Sequence, residues 1–188
     1  MLLLIGFSAI CYLIGSIPTG YWLCRWWYGL DITHHGSGNS GASNVARVLG
    51  KKLFPIIFCC DAGKAYIILW LMKQLAMSMT AYYCSAGVLL LGNAYSIFMN
   101  FNGGRGVATA VGIIGFFLPW QSTIGFMIAW LIIVALTKKP FVASLGACMG
   151  VLIFHVYMQT TCVSLLVGIF VWIGWRHASH LKAWYYSC

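Results

Sequence analysis

Long apolar stretches separated by short polar segments make up almost the whole chain. Residues 2–24 carry no charge, and residues 53–72 and 80–99 are again long and apolar. A helix needs about 20 apolar residues to cross the hydrocarbon core of a bilayer. The pattern therefore predicts three membrane-spanning helices in these stretches, the first of them kinked at Pro18 because proline breaks the helical hydrogen-bond ladder.

Two further uncharged stretches, residues 106–137 and 141–175, are each too long for one span. As one helix the first would measure roughly 48 Å, whereas the hydrocarbon core is about 30 Å thick. Pro119 and residues 159–161 are the best breaks, so each stretch predicts two shorter spans. We expect an all-α integral membrane protein with a bundle of about seven transmembrane helices, in which residues 1–188 form a single polytopic domain.

The composition excludes several classes of protein. Hydrophobic residues make up 62% of the 188 and charged residues only 7%, against about 45–50% and about 25% in soluble domains. An ordinary soluble domain, a disordered chain and a nucleic-acid-binding protein are all incompatible with these values. The expected surroundings are membrane lipid, and no nucleic-acid partner is expected.

The distribution of positive charge predicts the orientation in the membrane. The chain has eleven Lys and Arg against two Asp and Glu. With seven spans, one side receives nine of the cations: Arg25, Arg47, Lys51, Lys52, Arg105, Lys138, Lys139, Arg176 and Lys182. The other side receives only Lys73. Since cytoplasmic loops carry the excess of Lys and Arg, we expect the N-terminus outside, and the polar loops and the C-terminus in the cytoplasm.

The first polar cluster, residues 34–47, is rich in Gly, Ser and Asn and ends in Arg47. Ser40 or Ser43 could cap a short helix that runs to Leu49 and stops at Gly50. A helix N-terminus behind a glycine-rich loop suits an anion, most simply a phosphate. The alternative interpretation is a flexible polar loop between two helices.

The second cluster, residues 102–109, is again a glycine turn with a cation, Arg105, that runs directly into an apolar stretch. Backbone N–H groups, a helix dipole and a guanidinium together favour an anion. The Walker A pattern is absent. The alternative is a tight turn between helices with one orienting arginine.

Further polar residues lie at or within the spans. His177 and His180 are three residues apart at the end of the last span and could share a helix face. Histidine can exchange protons near neutral pH, although an interfacial pair without a role is the alternative. Asp61 and Lys64 lie inside a span at a spacing that lets them pair, which favours a structural role slightly over a catalytic one. Ser144, which follows Lys138 and Lys139, could face the same pocket as the two polar clusters, or its side chain could simply pack between helices.

At these residues the sequence resembles the PlsY family, the bacterial membrane glycerol-3-phosphate acyltransferases that use acyl phosphate. The resemblance covers nearly the whole chain. It is carried by Gly36-Ser37-Gly38-Asn39-x-Gly41-Ala42-x-Asn44-Val45-x-Arg47, by Gly103-Gly104-Arg105-Gly106-Val107-Ala108-Thr109-Ala110, by residues 12–18 and by Asp61-x-x-Lys64.

The resemblance implies a reaction and a set of site residues. The acyl group of an acyl phosphate moves to the 1-hydroxyl of glycerol 3-phosphate, which gives lysophosphatidic acid and phosphate in the bacterial cytoplasmic (inner) membrane. Catalytic residues are then Ser37, Arg47 and His177; phosphate-binding residues are Gly38, Asn39, Gly41, Asn44, Asn102, Gly103, Gly104, Arg105 and Gly106; further candidates are Ser144, His180, Asp61 and Lys64. No metal or cofactor is expected, and a soluble enzyme that makes acyl phosphate is a further partner.

Five positions depart from the family pattern. The family usually has Lys where this chain has Asn102, a Gly-His pair where it has Gly92-Asn93, and Glu and Asn where it has Ser179 and His180; Arg105 also replaces a Lys. Two other functions therefore stay open at the level of sequence. One is a weakened or inactive relative that binds phosphate or anionic lipid, and the other is a small transporter of an organic phosphate.

Overall fold

The computed structural model describes residues 2–178, and within this range the chain is all-helical, with no strand. The chain divides into two compact units, Met1–Phe116 and Phe117–Cys188. The first holds α1 (Leu2–Ser16), α2 (Thr19–Tyr28), α3 (Ala42–Leu49), α4 (Leu53–Gln74), α5 (Met79–Ala94) and nearly all of α6 (Val107–Phe117). The second holds α7 (Trp120–Thr137), α8 (Pro140–Tyr157) and α9 (Val163–Arg176).

The helix breaks predicted at prolines and polar residues are confirmed. A bend of 44° at Pro18 separates α1 from α2. Pro119 lies between α6 and α7, and residues 158–162 separate α8 from α9. Among the described helices, α4, α7 and α8 are each long and apolar enough to cross a membrane, and the bent α1–α2 pair counts as a fourth if it forms one span.

The prediction of helix as far as residue 99 is wrong, because α5 ends at Ala94. The N–H groups of Gly103 and Gly104 donate to the carbonyl oxygens of Ala94 and Asn93, at 2.9 and 2.8 Å. The returning chain thus takes the place of the next helical turn in bonding these two carbonyls.

In the first unit, α1 packs along α5 at very close range. A Cβ at Gly92 would meet the backbone of Tyr12 and Ser16, so only glycine allows this approach. Two polar contacts reinforce the pairing. The Tyr12 hydroxyl donates to the Tyr95 carbonyl at 2.6 Å, and the Ser96 hydroxyl donates to the Ser16 carbonyl.

Asp61 and Lys64 form the ion pair that their spacing predicts, and they hold the break between α1 and α2. Their side chains are each 10% exposed, with Lys64 Nζ 2.8 Å from Asp61 Oδ1. Lys64 also donates to the carbonyl of Ile17 at 2.8 Å, and Thr19 Oγ1 donates to Asp61 Oδ1 at 2.9 Å. The pair therefore reinforces the backbone at the break, where the Ile17 carbonyl accepts from both Lys64 and the Thr19 N–H.

In the second unit, α8 packs against both α7 and α9. The buried ring of His155 is hydrogen-bonded from both sides, with Nε2 2.8 Å from Ser122 Oγ and Nδ1 3.1 Å from Thr160 Oγ1. This ring links α7 to the turn that follows α8, which is a structural role for the histidine within the apolar stretch.

Replacing Lys64 by Met should lower the stability of the protein by about 3 kcal/mol, because the Asp61 carboxylate would stay buried without its cation. The double replacement Asp61→Leu with Lys64→Met should cost less than Lys64→Met alone, since no unpaired charge remains. Thermal unfolding in detergent micelles measures both.

Lys73→Met is the matched control, because Lys73 lies exposed at the end of the same helix, and it should change stability by less than about 0.5 kcal/mol. Asp61→Leu is measured alone as well. If the double variant lost as much stability as Asp61→Leu and Lys64→Met together, the ion-pair account would be wrong.

Candidate anion-binding site

The first polar cluster folds into a loop fastened by one side chain, Asn44. Asn44 is 3% exposed. Its Oδ1 accepts from the Ser37 N–H at 2.8 Å. Its Nδ2 donates to the carbonyls of His35 and Asn39, both at 2.9 Å. All of its hydrogen-bonding groups are therefore engaged inside the loop, which fixes the backbone on both sides of Ser37.

The short helix predicted to follow the loop is present as α3, and it ends before Gly50 as predicted. The prediction that Ser40 or Ser43 caps this helix is wrong, since the N-cap residue is Gly41. The physical reason is the Asn39 side chain, whose Oδ1 accepts from the Gly41 N–H at 2.8 Å and sets the helix start one residue later than Ser40.

The exposed polar side chains of this loop are those of His34, His35, Ser37 and Arg47. The N–H groups of Gly38 and Gly41 bond within the loop, to the His35 carbonyl and to the Asn39 side chain. A phosphate at this loop would find donors in the Ser37 hydroxyl and in the guanidinium of Arg47, which lies in the last turn of α3.

The loop is anchored at its beginning by Asp31. The hydroxyl and the backbone N–H of Thr33 donate to the Asp31 carboxylate and hold its pKa below the usual value. The His35 Nδ1 lies 2.9 Å from the Asp31 carbonyl oxygen. Asp31 is thus an ionised cap of the 3-10 turn Ile32–His34.

The second cluster is a turn pinned to the end of α5. Gly103 and Gly104 use their N–H groups to bond the α5 carbonyls, and α6 then begins at Val107 after Gly106, whose φ of +81° favours glycine. Arg105 is half-buried at this turn and Asn102 is exposed. The turn therefore sets a cation, Arg105, two residues before the first residue of α6.

The start of α2, directly after the break at Pro18, contacts the first cluster and the segment that precedes the second. A Cβ at Gly20 would meet the Ser40 carbonyl oxygen, so glycine is required for α2 to lie against the first loop. The Trp22 ring lies 5.5 Å from the Phe98 ring, just before the second cluster. The start of α2 therefore lies against the first cluster and against the segment that leads into the second.

Two of the other candidates belong to the second unit, and one lies outside the described residues. Ser144 is 3% exposed; its hydroxyl donates to the Pro140 carbonyl at 2.9 Å and accepts from Trp130 Nε1 at 3.1 Å. His177 is 2% exposed and its Nδ1 lies 2.8 Å from the Ile173 carbonyl oxygen. His180 is the candidate outside the described residues.

Sequence reasoning missed several polar residues that fasten the site. The Tyr12–Tyr95 and Ser16–Ser96 bonds join residues about eighty positions apart, and each residue sits in or beside an apolar stretch. Asn93 stands out in the sequence only as a departure from a family pattern. The one sequence signal for these contacts is a polar residue within an apolar stretch, because such a residue needs a hydrogen-bond partner when it is buried.

Comparison with known proteins identifies the family to which this chain belongs. The family model described as "Glycerol-3-phosphate acyltransferase" matches residues 5–185. A glycerol-3-phosphate acyltransferase of Thermotoga petrophila is 38% identical over 177 residues, which is 94% of this chain and 90% of that relative. One of Fusobacterium nucleatum subsp. nucleatum is 30% identical over 178 residues, covering 94% and 91% of the two chains.

The fold also matches a solved structure. The crystal structure of PlsY, an integral membrane glycerol 3-phosphate acyltransferase, in its glycerol 3-phosphate form, superposes with a TM-score of 0.87 at 27% identity, over 98% of this chain and 92% of that chain. Its lysophosphatidic acid form gives a TM-score of 0.85 over the same shares. With a family model over nearly its whole length and the same integral membrane fold, the chain belongs to the glycerol-3-phosphate acyltransferase family.

Proposed function

We propose that this protein transfers a fatty acyl group from an acyl phosphate to the 1-hydroxyl of glycerol 3-phosphate, giving lysophosphatidic acid and inorganic phosphate. The observation that carries the proposal is the pair of polar loops in the first unit, one with Arg47 and one with Arg105; α2 lies against the first loop and against the segment that leads into the second. Both substrates are phosphorylated, and guanidinium groups suit phosphate oxygens. The solved PlsY forms are named for glycerol 3-phosphate and lysophosphatidic acid.

The acidic residues of the chain leave proton transfer to the substrates. Asp31 and Asp61 are the only two Asp or Glu residues in the sequence. Asp31 caps the 3-10 turn and Asp61 pairs with Lys64. Both carboxylates are engaged in these contacts, and we assign the proton of the attacking hydroxyl to a substrate phosphate.

The proposed step is a direct acyl transfer. The 1-hydroxyl oxygen attacks the acyl carbonyl carbon, the bond from that carbon to the phosphate oxygen breaks, and the hydroxyl proton passes to phosphate. Phosphate is a good leaving group, so the protein has mainly to position the reactants and stabilise charge. An acyl-enzyme is not required.

The residue roles follow from exposure and hydrogen bonding. Arg47 and Arg105 bind phosphate oxygens, and the exposed Ser37 hydroxyl bonds at the reacting end of the substrate. Asn44 holds the Ser37 backbone in place rather than touching phosphate itself. The role of His177 in orienting substrate stays a prediction from the family resemblance; in the second unit its Nδ1 lies 2.8 Å from the Ile173 carbonyl oxygen.

The experiment that tests this function follows phosphate release by the purified, reconstituted protein from an acyl phosphate, with and without glycerol 3-phosphate. We expect release that depends on glycerol 3-phosphate, with lysophosphatidic acid formed in equal amount. Binding of glycerol 3-phosphate without turnover would replace the proposal by a binding-only relative.

Replacing Arg47 by Ala should lower kcat/KM for glycerol 3-phosphate by roughly 10- to 150-fold, the range for a lost hydrogen bond to a charged group. Arg47→Lys should recover part of this loss, since it keeps the charge but not the planar fork. Lys52→Ala, a nearby exposed cation, is the control. Unchanged kinetics in Arg47→Ala would remove Arg47 from the site.

Asn44→Asp should raise the KM for glycerol 3-phosphate at least about tenfold, since an oxygen would replace the donor that faces two carbonyls. Binding and steady-state kinetics measure the effect. Ser43→Ala serves as the control, because the Ser43 hydroxyl bonds to no described residue. If Asn44→Asp bound glycerol 3-phosphate with the affinity of the wild type, Asn44 would not be needed to hold the loop.

We further propose seven spans, formed by the α1–α2 pair and by α4 to α9, with the N-terminus outside and both loops in the cytoplasm. Lys51 and Lys52 precede α4, whereas Lys73 lies at its other end. The single outer lysine is therefore Lys73.

An impermeant amine reagent should label Lys73 in intact cells, and Lys51, Lys52, Lys138 and Lys139 only in inverted membrane vesicles. Peptide mapping by mass spectrometry identifies the labelled residues, and Lys73→Arg should abolish the label on the peptide that contains position 73 in intact cells. Labelling of Lys138 or Lys139 from outside would contradict the proposed orientation.

A further inference from the structure

Two adjacent histidines in the first polar loop differ in how their rings are held. His34 and His35 are both exposed. The His35 Nδ1 lies 2.9 Å from the Asp31 carbonyl oxygen, whereas the His34 ring bonds to no described residue. A carbonyl oxygen only accepts hydrogen bonds, so the His35 Nδ1 carries a proton and donates it in this contact. The ring is therefore held through one nitrogen, and its other nitrogen, Nε2, has no partner among the described residues.

The backbone of His35 is held by the same side chain that holds Ser37. Asn44 Nδ2 donates to the His35 carbonyl at 2.9 Å, and Asn44 Oδ1 accepts from the Ser37 N–H at 2.8 Å. The Gly38 N–H donates to the same His35 carbonyl at 3.1 Å, which closes a turn with Gly36 and Ser37 at its centre. The His35 ring and the Ser37 hydroxyl thus project from one turn whose backbone is fixed.

This turn lies on the part of α3 that carries Arg47. A Cβ at Gly36 would meet Asn44 Oδ1 and Val48 Cγ2, so Gly36 packs against these two residues of the helix. Arg47 directly precedes Val48 and shares a helix face with Asn44, three residues before it. His35 and Ser37, which flank Gly36 in the chain, are consequently held next to the turn of helix that carries Arg47. All three side chains are exposed, so a dissolved phosphate reaches them without entering the protein interior.

We propose that protonated His35 donates a hydrogen bond from Nε2 to the phosphate of glycerol 3-phosphate, beside Ser37 and Arg47, so that binding of this substrate weakens as the pH rises. This inference rests on the proposed function, which supplies the ligand. Both ring nitrogens donate only in the imidazolium form. In that form Nδ1 keeps its bond to the Asp31 carbonyl while Nε2 serves the phosphate. After loss of the proton, Nε2 presents a lone pair, which gives a phosphate oxygen no donor.

The elements around His35 carry groups of both signs. The 3-10 turn before it carries Asp31 and His34, α2 carries Tyr21, Cys24, Arg25 and Tyr28, and α3 carries Arg47. Among these residue types only histidine ordinarily changes its charge between about pH 5 and 8. His34 is therefore the described neighbour whose titration has to be separated from that of His35.

The test measures the Kd of glycerol 3-phosphate by titration calorimetry on the reconstituted wild type and His35→Asn. The measurements are made at about pH 5.5 and about pH 8.5, where histidine is ordinarily charged and neutral. The asparagine amide keeps a donor for the Asp31 carbonyl but has no group at the position of Nε2. At the lower pH we expect the variant to bind roughly 2- to 12-fold more weakly, the range for one net hydrogen bond. At the higher pH the two Kd values should agree.

The substrate phosphate also titrates, but this effect is the same for both proteins and cancels in the ratio of their Kd values. His34→Asn is the matched control, because it removes the neighbouring exposed histidine, and its Kd should equal that of the wild type at both pH values. His35→Gln is the second variant in case His35→Asn does not fold. Its amide does not titrate, so its Kd relative to that of the wild type should also fall as the pH rises.

Three results would overturn the inference. The first is a Kd ratio for the His35 variant that is the same at both pH values, and the second is a His34→Asn protein with the same pH-dependent loss. The third is a wild type that binds no glycerol 3-phosphate at either pH. The proposed function fails separately, through a wild type that binds glycerol 3-phosphate but forms no lysophosphatidic acid, and the Kd ratios then still decide the inference.

Discussion

The fastening of the break between α1 and α2 is the interaction on which the rest of the first unit depends. A helix broken at Pro18 inside an apolar stretch exposes carbonyls that lipid cannot hydrogen-bond. Lys64 donates to the Ile17 carbonyl, while Asp61 neutralises Lys64 and accepts from Thr19. A charge in the membrane is costly, and this arrangement uses the paired charges to stabilise a bend that the backbone alone would not tolerate.

The bend has direct consequences for the candidate site. It turns α2 by 44° from the axis of α1, and this direction brings Gly20 against the first polar loop and Trp22 towards the second. In the first loop the side-chain amide of Asn44 bonds the backbone of the loop. In the second loop the N–H groups of Gly103 and Gly104 bond the end of α5. The cations are consequently held on a rigid frame, which is what transfer between two phosphorylated substrates requires.

Features that depend on neighbouring residues in the chain could be predicted from the sequence. The break at Pro119 follows from proline geometry, and the Asp61–Lys64 pair follows from helical spacing. The fastening role of Asn44 was not predictable, because its partners lie five to nine residues back in an irregular loop. Asn93 was read only as a departure from the family, since its surroundings depend on how a turn ten residues later folds back. Such pairings are set by tertiary packing, which spacing along the chain does not encode.

The central claim is that both loops of the first unit form a single substrate site. Hydrogen–deuterium exchange of the reconstituted protein, with and without glycerol 3-phosphate, tests it most directly. The account predicts that the ligand slows amide exchange in residues 35–44 and in residues 102–106 together, at the same ligand concentration. Protection confined to one of the two loops would contradict it.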